Sequence, residues 1–247
     1  MMAFQTAPAV SVQAAQAPEW NTEVLSVSQI GGYESGQFNV DGGVMEIVAY
    51  NRNTGRAYAI NGQSGTLASI SLKDLQGDGT FEKLEGIDID VKGLVEAADS
   101  GFAYGDMTSV AVSPDQTTLA AALQAEDYRD PGRVALFSCN SDGSLTLKGL
   151  AVTGVQPDMV TFANNTTVLT ADEGEPREGY GNGTTDPKGS VTIVNTDSLI
   201  SRTVGFDAFD GSAQRTALTE EGVVLKKDTA PSVDLEPEYI AVSGQKA

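Results

Sequence analysis

The side chains best equipped for chemistry are carboxylates on loops. Asp172, Glu173 and Glu175 stand almost side by side, Asp186 lies later in the same loop, and Glu126 and Asp127 sit in an earlier loop of similar character. A hard divalent cation takes roughly six to eight oxygen ligands of this kind. These residues therefore form a candidate cation site, with Ca²⁺ the expected ion and no organic cofactor implied. They read equally well as solvated loop carboxylates or as caps that bond backbone amides, because acidic side chains are mostly exposed. Both readings stay open. No D-x-D-x-D-G calcium loop occurs, and residues 75–80, which have its outline, hold too few carboxylates and read as a turn.

Arg129 and Arg177 lie in the same two loops, and their guanidinium groups could clamp a phosphate or a carboxylate. Paired carboxylates can also serve as general acid and base. Against hydrolysis, no hydroxyl, thiol or amine stands beside a base as an activated nucleophile would. Histidine is absent from the chain, which excludes His-based triads, His-ligated metals and imidazole bases. Cys139 is the single cysteine and can form no disulfide within the chain. Tyr128 and Tyr180 are expected to pack over their loops.

The balance of 15 basic against 34 acidic residues gives a net charge of −19. Nucleic acid is therefore not an expected partner, since its binding needs basic surface to displace counterions. No run is long enough to span a membrane as a helix. The chain begins with a charge-free, small-residue stretch ending in Ala15-Gln16-Ala17, the small-x-small form that precedes signal cleavage. Residues 1–20 are read as a signal-like or disordered lead, and the protein as exported to the cell surface or beyond.

The elements that must position these residues are strands. Four apolar runs share one form: EIVAY, TSVAV, DMVTF and EYIAV, beginning at Glu46, Thr108, Asp158 and Glu238. The first three are each followed by a polar turn, a second β-rich run, a loop and a third run. Repeated meanders of this kind predict an all-β protein, a β-propeller of four-stranded antiparallel blades. Three blades and a fragment of a fourth are visible, so residues 21–247 are expected to be the N-terminal portion of a propeller truncated at its C-terminal side. Residues 24–30 are expected to be the outer strand that closes its last blade. Helices are predicted near residues 94–98 and 212–221, the second stopped by Gly222, both as inserts between blades. The register places Glu46, Asp106, Asp158 and Glu238 around one mouth of the central channel, on the same face as the acidic loops.

The blocks GVMEIVAYNRNTGRAYAIN, TSVAVSPDQTTLAAAL, DPGRVALFS, QPDMVTFANNTTVLTADEGEP, DPKGSVTIVN and DLEPEYIAVSG resemble the choice-of-anchor I family. Its members also carry an alkaline-phosphatase-like label and are similar to a mesenchyme-specific cell-surface glycoprotein. The resemblance implies an exported, surface-anchored propeller longer than this chain. The metal-binding histidines expected of alkaline phosphatase are absent. Three roles remain open from the sequence. The chain could be a surface binding or adhesion module, with or without Ca²⁺. It could be a divalent-metal-dependent phosphoester hydrolase, or a structural repeat that docks a neighbouring domain. The expected partners are the remainder of the propeller and a surface protein or glycan.

Overall fold

The computed structural model describes residues 27–40, 43–73, 75, 77, 80–181, 183–244 and 246–247. A short strand β1 (Gly31–Gly32) comes first. Blade one follows as β2 (Met45–Asn51), β3 (Arg56–Asn61), β4 (Thr66–Ser71) and, after a short β5 (Glu82–Lys83) that pairs in parallel with β1, β6 (Gly86–Asp90). Helix α1 (Val91–Ala98) leads into blade two: β7 (Tyr104–Val112), β8 (Thr118–Ala125), β9 (Pro131–Cys139) and β10 (Leu145–Val155). Blade three is β11 (Pro157–Asn164), β12 (Thr167–Asp172), β13 (Ser190–Asn195) and β14 (Ser201–Gly205). Each blade is a four-stranded antiparallel meander in chain order. The fold is thus all-β and of propeller type.

The strand sequences explain the stacking. Side chains alternate between the two faces of a strand, and β8 uses both faces. Leu119, Ala121 and Leu123 point into the seam with blade one, beside Tyr58, Leu67 and Phe137. Ala120 and Ala122 point into the seam with blade three, beside Val134, Val160 and Val168. A strand buried on both faces must be continuously apolar, which is why TLAAALQ shows no polar alternation. Each leucine buried in such a seam contributes about 1.5–3 kcal/mol.

On the face away from the acidic loops, side chains of the tight turns fasten each blade to the next. Asn51 Nδ2 donates to the Gln116 carbonyl at 2.8 Å, and Gln116 Oε1 accepts from the Arg52 amide at 2.8 Å. One blade further on, Asn165 Oδ1 accepts from the Asp115 amide at 3.1 Å. A second fastening lies in the turn between β9 and β10, where the Gly143 carbonyl accepts from Ser69 Oγ at 2.8 Å and Tyr58 Oη at 3.3 Å.

Three expectations need correction. The outer strand of blade one is β6, within a stretch that reads as an insert in sequence; its short GIDID run pairs with β4 and ends directly in α1. Residues 27–30 form no strand, and residues 24–26 lie outside the described residues, as does much of the turn at residues 75–80. Residues 238–242 also form no strand, since no described segment offers them a ladder; the nearest pairing is an isolated bridge between Ser243 and Lys246. The helices do form. In α1, Asp90 caps the Gly93 amide at 2.8 Å and Val91 and Val95 enter the core. Helix α2 (Ser212–Glu220) is followed by Gly222 at φ +94°, a left-handed stop that glycine adopts freely, and a short α3 (Pro231–Asp234) comes after it.

Candidate functional site

The strands deliver Tyr104 at the start of β7 and Gln124 near the end of β8, on the acidic-loop face. Lys92 of α1 and Arg177 of the loop after β12 reach the same place. Together with Asp106 and Glu126 they line a cleft of about 500 Å³. Tyr104 and Gln124 belong to the protein interior, 6% and 4% exposed, yet the Tyr104 Oη and the Gln124 Nε2 have no hydrogen-bond partner among the described residues. Buried polar atoms are nearly always satisfied, and an orphan costs about 1–3 kcal/mol.

The orientation of the Gln124 amide is fixed by its other end. Arg177 Nη2 donates to Gln124 Oε1 at 2.8 Å. Arginine has no acceptor, so the oxygen must face Arg177 and the Nε2 is the free end. Arg177 Nε in turn donates to Gln156 Oε1 at 3.2 Å. Gln156 is 1% exposed and left-handed at φ 54°, a conformation that costs a non-glycine residue about 1–3 kcal/mol. It is held there by Nε2 bonds to the Glu175 carbonyl at 2.7 Å and the Tyr128 carbonyl at 3.1 Å. A buried amide thus ties the two acidic loops together and aims Arg177 at the cleft.

The carboxylates singled out from the sequence fall into separate places. Asp172 is fully buried and points into blade three. It accepts from Thr170 Oγ1 (2.6 Å), Thr192 Oγ1 (2.6 Å), Ser190 Oγ (2.9 Å) and the Gly154 amide (3.2 Å). Burial pushes its pKa up while those donors pull it down. Asp127 is exposed enough to pair with Arg129, at 2.5 and 2.8 Å, and is held at about 2 by that guanidinium. Arg129 is therefore engaged, and Arg177 alone of the two faces the cleft. Asp186 has a buried, unpartnered Oδ1, and burial raises its pKa, with Asp234 adding to the rise and Lys226 opposing it.

Glu173 and Glu175 instead lie within electrostatic reach of Asp158, and Glu173 also of Glu238, two of the residues expected around the channel mouth. Glu173 is pushed up to about 7, first by burial and then by Glu175, Asp158 and Glu238. Burial and Glu238 likewise raise Asp158, and burial and Glu46 raise Asp106, with Arg177 opposing all three. Among the described residues no three Asp or Glu side chains are arranged to hold a metal ion. The reason is geometric: Asp172 turns inward on its strand, Asp127 is taken by Arg129, and Glu126 lines the cleft apart from Asp186.

Lys92, Tyr104, Gln124 and Gln156 were not expected from sequence as site residues. The signal available was a glutamine closing an apolar run (Gln124) and another between two blades (Gln156). Tyr128 does pack over its loop, donating to the Thr185 carbonyl at 3.1 Å.

Fold and site define a propeller-type all-β protein with a polar cleft between blades. The chain belongs to the choice-of-anchor I domain family, whose model matches residues 46–247. No curated protein matches it. Among solved structures it is similar to a protein from Bacteroides uniformis provisionally named a 6-phosphogluconolactonase, at 21% identity and a TM-score of 0.44, over 65% of this chain and 39% of that one. A counterpart from Bacteroides fragilis, with the same provisional name, gives 21% identity and a TM-score of 0.43, over 68% of this chain and 44% of that one. Kuenenia stuttgartiensis hydrazine synthase gives 13% identity and a TM-score of 0.41, over 65% and 37%. The chain spans less than half the length of each of these proteins. No helix among the described residues is long and apolar enough to cross a membrane.

Proposed function

We propose that this chain is part of a surface-associated binding module that takes a small polar ligand in the cleft between Lys92, Tyr104, Gln124 and Arg177. The family supports surface association. The observation that carries the binding reading is the pair of orphaned buried atoms, Tyr104 Oη and Gln124 Nε2, on residues that line one cleft. A fold that served packing alone would place a phenylalanine and a leucine there. Two buried polar groups kept without partners are a cost to stability that a ligand offsets when it supplies the missing bonds.

The test uses the ligand-free protein. Tyr104→Phe removes the orphan hydroxyl and keeps the ring, which packs in the core between blades one and two. The expected result is an unchanged or higher melting temperature, by a few degrees for about 1 kcal/mol. A clear drop would mean that the hydroxyl is already satisfied within the folded protein, and the binding reading would fail.

A further inference from the structure

We infer that the two acidic loops, residues 126–130 and residues 173–178, open and close as one unit, latched together by the buried Gln156. The inference concerns the folded chain itself and holds whatever the cleft binds.

Gln156 is the single residue between β10 and β11, and so between blades two and three. Its left-handed backbone, at φ 54°, is one that glycine would adopt freely. A glutamine there carries strain, so its side chain must supply something that a glycine lacks. An amide nitrogen has two hydrogens to give. Gln156 Nε2 gives one to the Tyr128 carbonyl of the first loop at 3.1 Å and the other to the Glu175 carbonyl of the second at 2.7 Å. Its Oε1 accepts from Arg177, and its backbone carbonyl accepts from the Glu173 amide at 2.9 Å, both in the second loop. Every polar group of the side chain is thus used, in a residue 1% exposed. If either loop lifted alone, a donor would be stranded in the interior. If the side chain followed that loop, the carbonyl of the other would lose its donor. Opening both loops together is the one movement that lets water reach all of these groups. Two clefts share the latch. The cleft of about 500 Å³ takes Glu126 and Tyr128 from the first loop and Arg177 from the second. Another, of about 650 Å³, takes Asp127 and Asp130 from the first and Glu178 from the second. A change at either cleft is therefore transmitted to the other.

The experiment measures amide hydrogen exchange in the ¹⁵N-labelled whole chain. The reporters are Asp130, whose amide donates to the Asp127 carbonyl at 2.9 Å, and Glu173, whose amide donates to the Gln156 carbonyl at 2.9 Å. Asp127→Ala loosens the first loop, because the Asp127 carboxylate accepts from the Arg129 amide and guanidinium. Within one unit the opening equilibrium is shared, so exchange at Asp130 and at Glu173 should rise by the same factor, at least about threefold. In Gln156→Gly, which keeps the backbone and removes the latch, Asp127→Ala should speed Asp130 alone. Gln156→Met, of similar length and with no hydrogen to give, replaces the glycine variant if that one does not fold. Tyr128→Phe removes a direct link, since the Tyr128 hydroxyl donates to the Thr185 carbonyl at 3.1 Å. Transmission to Glu173 should survive it. Glu173 exchange unmoved by Asp127→Ala in the otherwise unaltered chain overturns the inference, and that measurement needs no change at Gln156. Transmission that persists without the Gln156 amide, or disappears in Tyr128→Phe, assigns the coupling to the tyrosine and overturns it too.

Discussion

Arg177, on a loop of blade three, donates from Nη2 to Oε1 of Gln124, on a strand of blade two, at 2.8 Å. This bond sets which end of the Gln124 amide is left free. It also places a cation among Asp106, Asp158 and Glu173. Removing either partner should therefore do more than remove one contact. Arg177→Met is expected to destabilise by about 2–3 kcal/mol, because it strands the Gln124 amide and leaves the mouth carboxylates unopposed. Adding Gln124→Leu to Arg177→Met should cost clearly less than the sum of the single changes, with a coupling of about 1–2 kcal/mol. Urea melts of the four proteins measure this. Strict additivity would show that the bond contributes nothing.

Asp172 is predicted to be structural. Its two oxygens take four donors from blade three and from Gly154. Asp172→Asn should cost about 1.5–3 kcal/mol, since neutral bonds replace charge-assisted ones and a hydroxyl that now donates to the carboxylate must turn to accept from the new amide nitrogen. The loss should be the same in EDTA and in Ca²⁺. A Ca²⁺-induced rise in melting temperature that disappears in Asp172→Asn would move the ion onto this residue and revive the cation site drawn from sequence.

Both results bear on what the sequence could reveal. The blades were readable because strands buried on two faces leave an unbroken apolar run, as in TLAAALQ, and because the run recurs with the same turn after it. The stop at Gly222 was readable from its residue type alone. The outer strand β6 was not: GIDID is short, half polar, and runs straight into a helix, so its pairing with β4 is a tertiary fact. Asp172 looked like a loop ligand because it ends its strand. Its true environment follows from register, which sets Asp172 opposite Ser190 and Thr170 opposite Thr192 on one face. The cleft was hidden because Lys92, Tyr104, Gln124 and Arg177 come from separate elements, and spacing along the chain says nothing about them.

The end face of blade one yields a prediction about assembly. On β2, Ile47 and Ala49 pack in the seam with blade two, whereas Val48 and Tyr50 face outward at 58% and 54% exposure. They lie opposite Ala59 and Ala57 of β3, which form a buried apolar cluster with Ala68 and Ile70, packed over by Tyr33, Leu72 and Leu84. The opposite face of β2 is closed by blade two, so this outer face is expected to receive a further blade of the same propeller. In the chain studied alone it should cause self-association at micromolar concentrations and above. Val48→Lys with Tyr50→Lys should reduce that association by at least about tenfold in sedimentation velocity, with little change in melting temperature. A wild-type chain that stays monomeric at high concentration would argue that the face is not a seam.

Stability should depend on pH through Glu173. Its pKa stands at about 7 against an ordinary 4.5, so the fold favours the protonated form. The sign follows from linkage. Below about pH 4.5 the group is protonated whether the chain is folded or not, and its contribution is fully present. As pH rises toward 7 the unfolded chain ionises first, and that contribution is lost; above 7 it stays lost. Asp106, Asp158 and Glu236 are raised as well and act in the same direction. The lowered carboxylates Asp115, Asp142 and Asp207 act only below their ordinary 3.8, outside this window. The protein should therefore melt at a higher temperature near about pH 5 than near about pH 8. Glu173→Gln, which keeps the shape and cannot ionise, should raise the melting temperature at about pH 8, leave it nearly unchanged at about pH 5, and flatten the curve between. Equal wild-type melting temperatures across that range, or a Glu173→Gln variant with an unaltered slope, would show that Glu173 ionises as freely in the folded chain as in the unfolded one.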